Sequence, residues 1–322
     1  MVKKNIKTNT FFFIALGICI CFLLFSAGCD LFEVTFSDPH LEQIIRREVN
    51  IPEKKLTRGD LSSLISLDLS EKKISNLSGL DEAKSLESLS LSGNNLTDIA
   101  PLSKLKNLWE LDLSDNNIID ISPLSKLKKL EYLNLSGNEI SDISPLKKRK
   151  KLLVLDLQGN LLRDISPLGR LTNLLDLNLS DNRIYDITII ANLTELKELN
   201  LSNNDIRDIS SLENLTGLWK LDLRKNYITD ISALENLINL NKLNLSHNRI
   251  VDIFPLARVF NLRELELAGN TVRDISFLAA TNSLEYLTLS FDEFVDLSPM
   301  EKIEHLKIYD ERGTLISPTN EQ

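Results

Sequence analysis

Leucine recurs along this chain at a constant interval. One column begins with Leu64 and Leu86 and continues at the same spacing, without a break, to Leu306, and two more columns start at Leu67 and Leu69. The shared unit reads L-x-x-L-x-L-x-x-N-x-I-x-D-I-x-P-L. Its x-L-x-L stretch alternates polar and apolar residues, which predicts a short β-strand with the leucines inward and the other side chains outward. Repetition at this period predicts a solenoid in which each turn adds one parallel strand.

A column of asparagines follows the predicted strands, at the point where the chain has to bend. An inward-pointing amide carries donors and acceptors, so it can satisfy main-chain groups that the bend would leave buried without partners. We therefore predict a structural asparagine ladder and not a row of catalytic residues. Its members are Asn94, Asn116, Asn138, Asn160, Asn182, Asn204, Asn226, Asn248 and Asn270.

The second half of each unit predicts short helical or 3-10 turns on the convex side. An aspartate such as Asp120 stands before each of these turns, and its short carboxylate suits turn capping. The Ser122-Pro123 pair that follows is predicted to be the N-cap and the first helical position. Because these aspartates belong to the repeat, the net charge of −9 says little about a partner.

Residues 37–63 precede the repeats and have a helical pattern. Leu41, Ile44, Ile45 and Val49 share one face after a Ser-Asp-Pro start, and "LTRGDLSSL" predicts a second short helix. The Arg58-Gly59-Asp60 tripeptide, which integrins recognise in other proteins, is predicted to serve here as the start of that second helix. A solenoid needs a cap over its first open turn, and this segment is predicted to supply it.

Residues 1–28 differ from the rest of the chain. Three lysines precede the apolar run "FFFIALGICICFLLF", and the small residues "SAG" follow directly before Cys29. This order is typical of a secretory signal. The ending "FSAGC" resembles the lipobox of bacterial lipoproteins, which implies cleavage before Cys29 and lipidation of that residue. An uncleaved signal anchor is the alternative, and both interpretations place the remainder outside the cytoplasm.

The repeat columns match the leucine-rich repeat, and the cap followed by a 22-residue repeat resembles the internalins, a family of bacterial surface proteins. The resemblance implies an α/β solenoid, a right-handed horseshoe with a parallel concave β-sheet, convex 3-10 or short helical turns and an N-terminal helical cap. It also implies that the concave face binds a receptor protein. The predicted organisation is a signal peptide at 1–28, a lipid-anchored linker at 29–36, the cap at 37–63, about eleven repeats at 64–308 and a C-terminal tail at 309–322.

Composition and motifs argue against enzymatic and nucleic-acid-binding functions. The net charge of −9 becomes −12 without the three lysines of the signal, which does not fit a nonspecific nucleic-acid binder. His40, His247 and His305 lie too far apart along a solenoid to share a metal site or a catalytic triad. We predict a non-enzymatic protein that has no metal site and no cofactor.

The outward strand positions vary while the repeat frame does not, so they are the predicted binding surface. Glu198 with Lys220, and Lys242 with Glu264, could form ion pairs between turns, or the lysines could join Arg224 in a basic island for an acidic partner. Exposed aromatic residues are the candidate anchors. The candidate protein-binding residues are Trp109, Glu110, Tyr132, Asp156, Asp176, Trp219, Lys220, Arg224, Lys242, Glu264 and Tyr286.

A basic run, "KKRKK", occupies residues 147–151 on the predicted convex side. Within it, Arg149 takes a position that is leucine in most other units. A solvated patch and a contact with anionic lipid headgroups or an anionic polymer both remain open for this run.

These features predict a monomeric solenoid that binds another protein and is held at a membrane by an N-terminal lipid. The first hypothesis is an adhesin or receptor-binding protein at the bacterial cell surface. The second is an envelope scaffold, facing the periplasm, that binds the cell's own proteins. A third comes from eukaryotic phosphatase regulators, which share the 22-residue repeat, although the signal segment argues against it.

Overall fold

The computed structural model describes residues 33–281, 283–290, 296–303 and 305–316. The predicted signal peptide, Cys29 and the first part of the linker lie outside these ranges, as does the end of the predicted tail from residue 317. Among the described residues, no helix has both the length and the apolar character needed to cross a membrane.

Within the described ranges, twelve short parallel strands form one sheet in which the strands follow each other in chain order. Paired residues lie one repeat period apart, as for Glu110 and Tyr132, until the last pair, where the period is one residue shorter and Tyr286 faces Lys307. The sheet confirms the predicted leucine-rich repeat solenoid. The strands are β1 (Ser66–Asp68), β2 (Ser88–Ser90), β3 (Glu110–Asp112), β4 (Tyr132–Asn134), β5 (Val154–Asp156), β6 (Asp176–Asn178), β7 (Glu198–Asn200), β8 (Lys220–Asp222), β9 (Lys242–Asn244), β10 (Glu264–Glu266), β11 (Tyr286–Thr288) and β12 (Lys307–Tyr309).

The core is a continuous row of leucines and isoleucines inside the turns. The central residue of each strand, such as Leu111, points inward and is buried. The leucines and isoleucines of the loops on both sides of the strand also point inward and are buried. One hydrophobic cluster extends from Val34 to Ile308, so residues 33–316 contain both ends of the core and every repeat between them. A chain that begins at residue 30 therefore retains the whole of this cluster.

The asparagine ladder closes the bend after each strand by hydrogen bonding in both directions. Asn116 Oδ1 accepts from Leu96 N of the preceding turn at 3.0 Å. Its Nδ2 donates to Leu91 O at 3.0 Å, to Leu113 O at 3.2 Å and to Ser114 O at 3.0 Å. Each of the other eight ladder asparagines likewise accepts an N–H from the preceding turn and donates to carbonyls of both turns. The amides thus pair main-chain groups that would otherwise be buried alone.

The convex side consists of 3-10 helices, one in each turn. Asp120 Oδ1 accepts from Ser122 N at 2.7 Å, and the Ser122 hydroxyl donates to Asp120 Oδ2 at 2.9 Å. The serine was predicted to be the N-cap, and that prediction is wrong, because the aspartate two residues earlier caps the turn and the serine lies inside it. The 3-10 helices are η1 (Leu80–Glu82), η2 (Ala100–Lys104), η3 (Ser122–Lys126), η4 (Ser144–Leu146), η5 (Ser166–Arg170), η6 (Thr188–Asn192), η7 (Ser210–Leu212), η8 (Ser232–Leu234), η9 (Phe254–Arg258), η10 (Ser276–Ala280) and η11 (Ser298–Lys302).

Two helices cover the N-terminal end of the solenoid. They are α1 (Pro39–Glu48) and α2 (Arg58–Leu61). Asp38 caps α1, and its second oxygen accepts from Ser75 N at 3.0 Å, which ties the cap to the first repeat. A reciprocal capping box between Thr57 and Asp60 begins α2, so the Arg58-Gly59-Asp60 tripeptide is part of a helix.

The chain folds back on itself after the last strand. Asp310 Oδ1 accepts from Thr314 N at 2.7 Å, and Ile316 N donates to Ile308 O at 2.6 Å. Ile316 packs partly buried against the core. This short hairpin lies along the outer edge of β12 and pairs main-chain groups that a bare sheet edge would expose.

Candidate functional site

The concave face presents two columns of side chains, one from the first and one from the third residue of each strand. Because the central residue points into the core, its two neighbours point to the solvent on the concave side. Trp109 and Trp219 stand directly before β3 and β8, and Arg224 follows β8. The other predicted residues all lie in strands: Glu110, Tyr132, Asp176, Lys220, Lys242, Glu264 and Tyr286 in the first column, and Asp156 in the second.

An aromatic pair occupies the N-terminal third of this face. The rings of Trp109 and Tyr132 meet edge to face, with centroids 5.7 Å apart, and the residues are 37% and 38% exposed. Next to them the Ser88 hydroxyl donates to Glu110 Oε2 at 2.7 Å. Each ring limits the other's freedom, so a partner would meet a surface that is already ordered.

The middle of the face holds half-buried carboxylates. Burial raises the pKa of Asp176 to about 6, and the negative charge of Glu198 adds to this effect, while Lys220 opposes it. Burial also raises the pKa of Asp156, against the lowering effect of hydrogen bonds from Gln158 N and the Asn178 side chain. Burial therefore disfavours the charged form of both carboxylates, and a cationic partner group could relieve that cost.

The substitution Asp176→Asn should increase stability at neutral pH and much less in acid. The raised pKa means that the native state holds a proton that the unfolded state releases, so stability falls as the pH rises from about 4 to about 6. The amide has no such penalty. Melting temperatures of the two proteins at pH 4 and pH 7.5 should therefore differ more at the higher pH.

Asp205→Asn, at an exposed position of the same region, is the matched control for this prediction. It should leave the melting temperature close to that of the wild type at both pH values. An equal effect of Asp176→Asn at pH 4 and pH 7.5 would contradict the electrostatic explanation.

Ion pairs between turns occupy the C-terminal half of the face. Lys220 Nζ lies 3.3 Å from Glu198 Oε2, and Lys242 Nζ lies 2.6 Å from Glu264 Oε1. Of the two alternatives drawn from the sequence, the structure therefore shows the ion pairs for both lysines. These pairs are partly exposed and contribute little to stability, so a carboxylate of a partner could take the place of Glu198 or Glu264.

Arg224 and the adjacent Lys225 carry the remaining positive charge. Lys225 has φ 54°, in the left-handed region where equivalent turns have Gly93, Gly137 or Gly159. A lysine in this conformation costs about 1 kcal/mol relative to glycine. Asp115, Asp181 and His247 adopt the same left-handed conformation at this position of other turns, so the conformation belongs to the repeat.

Sequence reasoning missed a neighbouring aromatic residue, Tyr227. Its ring lies between two arginines, with Arg249 Cζ 4.9 Å and Arg207 Cζ 5.8 Å from the ring centroid. The available signal was the spacing: the two arginines stand about one repeat before and one repeat after the tyrosine, so the solenoid brings them to neighbouring turns. The two arginines thus carry positive charge in the turns before and after the one that contains Lys225 and Tyr227.

The structure places the three histidines in the cap, after β9 and before β12. Across the ranges that the structure describes, no group of three or more His, Cys, Asp or Glu side chains is arranged to hold a metal ion.

Comparisons with known proteins identify the repeat and the family. A family model for Leucine Rich repeats (2 copies) matches residues 110–148, 172–214, 194–236 and 216–258, and a single Leucine Rich Repeat model matches residues 85–105. A comparison with curated protein sequences gives no match. Among solved structures, an internalin (InlF) from Listeria monocytogenes superimposes with a TM-score of 0.82 at 35% sequence identity, over 86% of this chain and 85% of that chain.

The chain belongs to the internalin family. A second internalin, InlC2 from Listeria monocytogenes, is 33% identical over 65% of this chain and 93% of its own, with a TM-score of 0.63. The functional domain of InlJ, also from Listeria monocytogenes, includes a cysteine ladder and shares the fold at 21% identity, with a TM-score of 0.68 over 85% of this chain and 66% of that chain. The resemblance drawn from the sequence is thereby confirmed, and internalins are protein-binding leucine-rich repeat proteins.

Proposed function

We propose that this internalin is a non-enzymatic lipoprotein of the bacterial envelope that binds another protein through its concave face. The observation that carries the proposal is the contrast within each turn. The inward positions are almost invariant, while the outward side chains change from an aromatic pair to carboxylates to lysines paired with glutamates along one ordered sheet. Such a surface recognises a partner by shape and charge and loses little conformational entropy on binding.

Lys220, Arg224 and Lys225 form what we name the basic end of the face. It is the proposed contact for an acidic patch of the partner. The double variant Lys220→Glu, Arg224→Glu should reduce capture of the partner at least tenfold and leave the melting temperature within a few degrees of the wild type. The measurement is the amount of each protein recovered from host-cell and bacterial-envelope extracts on immobilised wild-type and variant chains.

The matched control reverses two exposed charges of the cap, Arg47→Glu and Lys54→Glu. It makes the same change in net charge and should leave capture unchanged. If the control loses the partner equally, or if the double variant unfolds while binding persists, the basic end is not the contact.

Lipidation at Cys29 is the proposed anchor, and the position of the solenoid decides between the adhesin and the scaffold. Protease added to intact cells should digest a surface-exposed solenoid rapidly, which supports an adhesin or receptor-binding role. Protection until the envelope is broken would favour the scaffold for the cell's own proteins. Mass spectrometry of the wild-type protein from the membrane fraction tests the anchor, because an intact segment 1–28 and an unmodified Cys29 would overturn it.

A further inference from the structure

A dense group of exposed cations lies on one flank of the solenoid, at the ends of the convex 3-10 helices and in the loops that lead from them to the strands. We name this group the basic flank. It extends over the turns that contain η2 to η5, outside both columns of the concave face. Its members are Lys106, Lys126, Lys128, Lys129, Lys147, Lys148, Lys150, Lys151 and Arg170.

Hydrogen bonds between turns show that equivalent flank positions are direct neighbours. Lys129 Nζ donates to Asn107 Oδ1 at 2.8 Å, and Asn107 Nδ2 donates to Lys84 O at 2.9 Å. Further along the solenoid, Asn173 Nδ2 donates to Lys150 O at 2.8 Å. With about 5 Å between adjacent turns, the cations form one continuous surface about 15 Å long.

The positive charge of this surface is not neutralised by the protein. Within the described part of the chain, none of the nine side chains forms an ion pair, whereas Lys104 beside them pairs with Asp81 at 2.6 Å. Asp142 and Asp164 line a groove of ≈540 Å³ together with Lys147, Lys148 and Arg170, but neither carboxylate forms an ion pair with them, and two negative charges offset only part of the nine positive ones. In a chain of net charge −9, this segregation leaves a strongly positive face.

Arg149 adds a second, independent observation. It lies within the basic run at a position where the neighbouring turns bury Leu127 and Leu171, and it is only 6% exposed. Its Nε and Nη1 are buried and have no hydrogen-bond partner. The chain therefore has a positive charge at position 149, where a leucine would pack better.

We propose that the basic flank binds the anionic headgroups of a membrane surface. The solenoid would then lie on its side, with the concave face open to a protein partner. Each lysine near an anionic bilayer contributes to attraction, and several together hold a protein at the surface. The choice of a membrane over a soluble anionic polymer rests on the proposed function, because a lipid at Cys29 would hold the chain at a membrane.

The test measures co-sedimentation of the chain from residue 30 onward, which has no lipid anchor, with vesicles. Vesicles of phosphatidylcholine with about one-quarter phosphatidylglycerol should bind it at low salt, and vesicles of phosphatidylcholine alone should not. Changing Lys126, Lys128, Lys148 and Lys150 to Gln should lower the partition coefficient about fivefold for each lysine, or several hundredfold in total.

The matched control changes Arg47, Lys54, Arg183 and Lys197 to Gln, four exposed cations outside the flank and outside the concave candidate residues. It should bind anionic vesicles as the wild type does, and melting curves of both variants should remain close to that of the wild type. Equal loss in both variants, or unchanged binding in the flank variant, would overturn the proposal. So would flank-dependent binding of polyphosphate without any binding to anionic vesicles. The tested chain begins after Cys29. A negative result with vesicles would therefore not count against lipidation at Cys29 or against the concave protein contact, each of which has its own experiment.

Discussion

Replacing the central ladder residue, Asn160→Ala, is expected to lower the free energy of unfolding by about 3 kcal/mol. The amide oxygen accepts from Ile140 N at 3.0 Å, and Nδ2 donates to Leu135 O at 2.9 Å and to Leu157 O at 3.1 Å. Alanine removes these three bonds and a fourth, from Nδ2 to Gln158 O at 3.2 Å, and leaves the buried Ile140 N–H without its partner. Urea unfolding followed by circular dichroism measures the loss.

The exposed neighbour Asn117 supplies the control for this experiment. Asn117→Ala should change the free energy of unfolding by less than about 0.5 kcal/mol. Asn270, near the C-terminal end, is only half-buried, so its alanine variant should lose less than that of Asn160. Equal losses at Asn117 and Asn160 would show that the amides are not what holds the turns together.

Periodicity made the main architecture predictable because each turn has nearly the same neighbours as the next. A leucine such as Leu111 is buried by the equivalent residues of the turns before and after it, so a pattern with a constant period specifies both the strand and its partner. The bend after each strand needs an inward side chain with both donors and acceptors, and the sequence alone shows an asparagine at that position in one turn after another.

The details that could not be predicted depend on short distances within or between turns. Asp120 and Ser122 both have side chains that can cap a helix, and only the observed hydrogen bonds show that the aspartate does so. Similarly, Lys220 and Lys242 could have been free or paired, and the choice depends on rotamers that span 3.3 Å and 2.6 Å to their partners. Tyr227 escaped notice because its arginines come from other turns and lie on a flank instead of a strand.

The candidate surface was easier to locate than to interpret. Alternation along each strand placed the outward columns, because the side-chain period of two leaves no other choice once the leucines are inside. The lysine itself gives no sign that Lys225 adopts φ 54°, and only the Gly and Asp residues at the same position of other turns, such as Gly137 and Asp181, indicate a left-handed backbone there. The raised pKa of Asp176 likewise arises from burial between neighbouring turns, which a single repeat does not reveal.

Replacing the buried cation, Arg149→Leu, is expected to raise the free energy of unfolding by about 1–4 kcal/mol. Leucine occupies this column in the turns on both sides, where it is fully buried, and burial lowers the pKa of the Arg149 guanidinium, which shows that the environment disfavours its charge. The same urea unfolding experiment measures the gain. Lys150→Leu, at the exposed next position, is the control and should change stability by less than about 0.5 kcal/mol.

Binding of the Arg149→Leu variant to anionic vesicles decides how a gain in its stability is interpreted. If Arg149→Leu is more stable and also binds anionic vesicles less well, the arginine is kept for attraction to the membrane at the expense of packing. If the variant is less stable than the wild type, the alkyl stem of Arg149 fills the core better than leucine and its charge is incidental. Position 149 is informative because the equivalent positions of the neighbouring turns can be compared with it. Leu127 and Leu171 are fully buried there, so the fold alone requires only an apolar side chain.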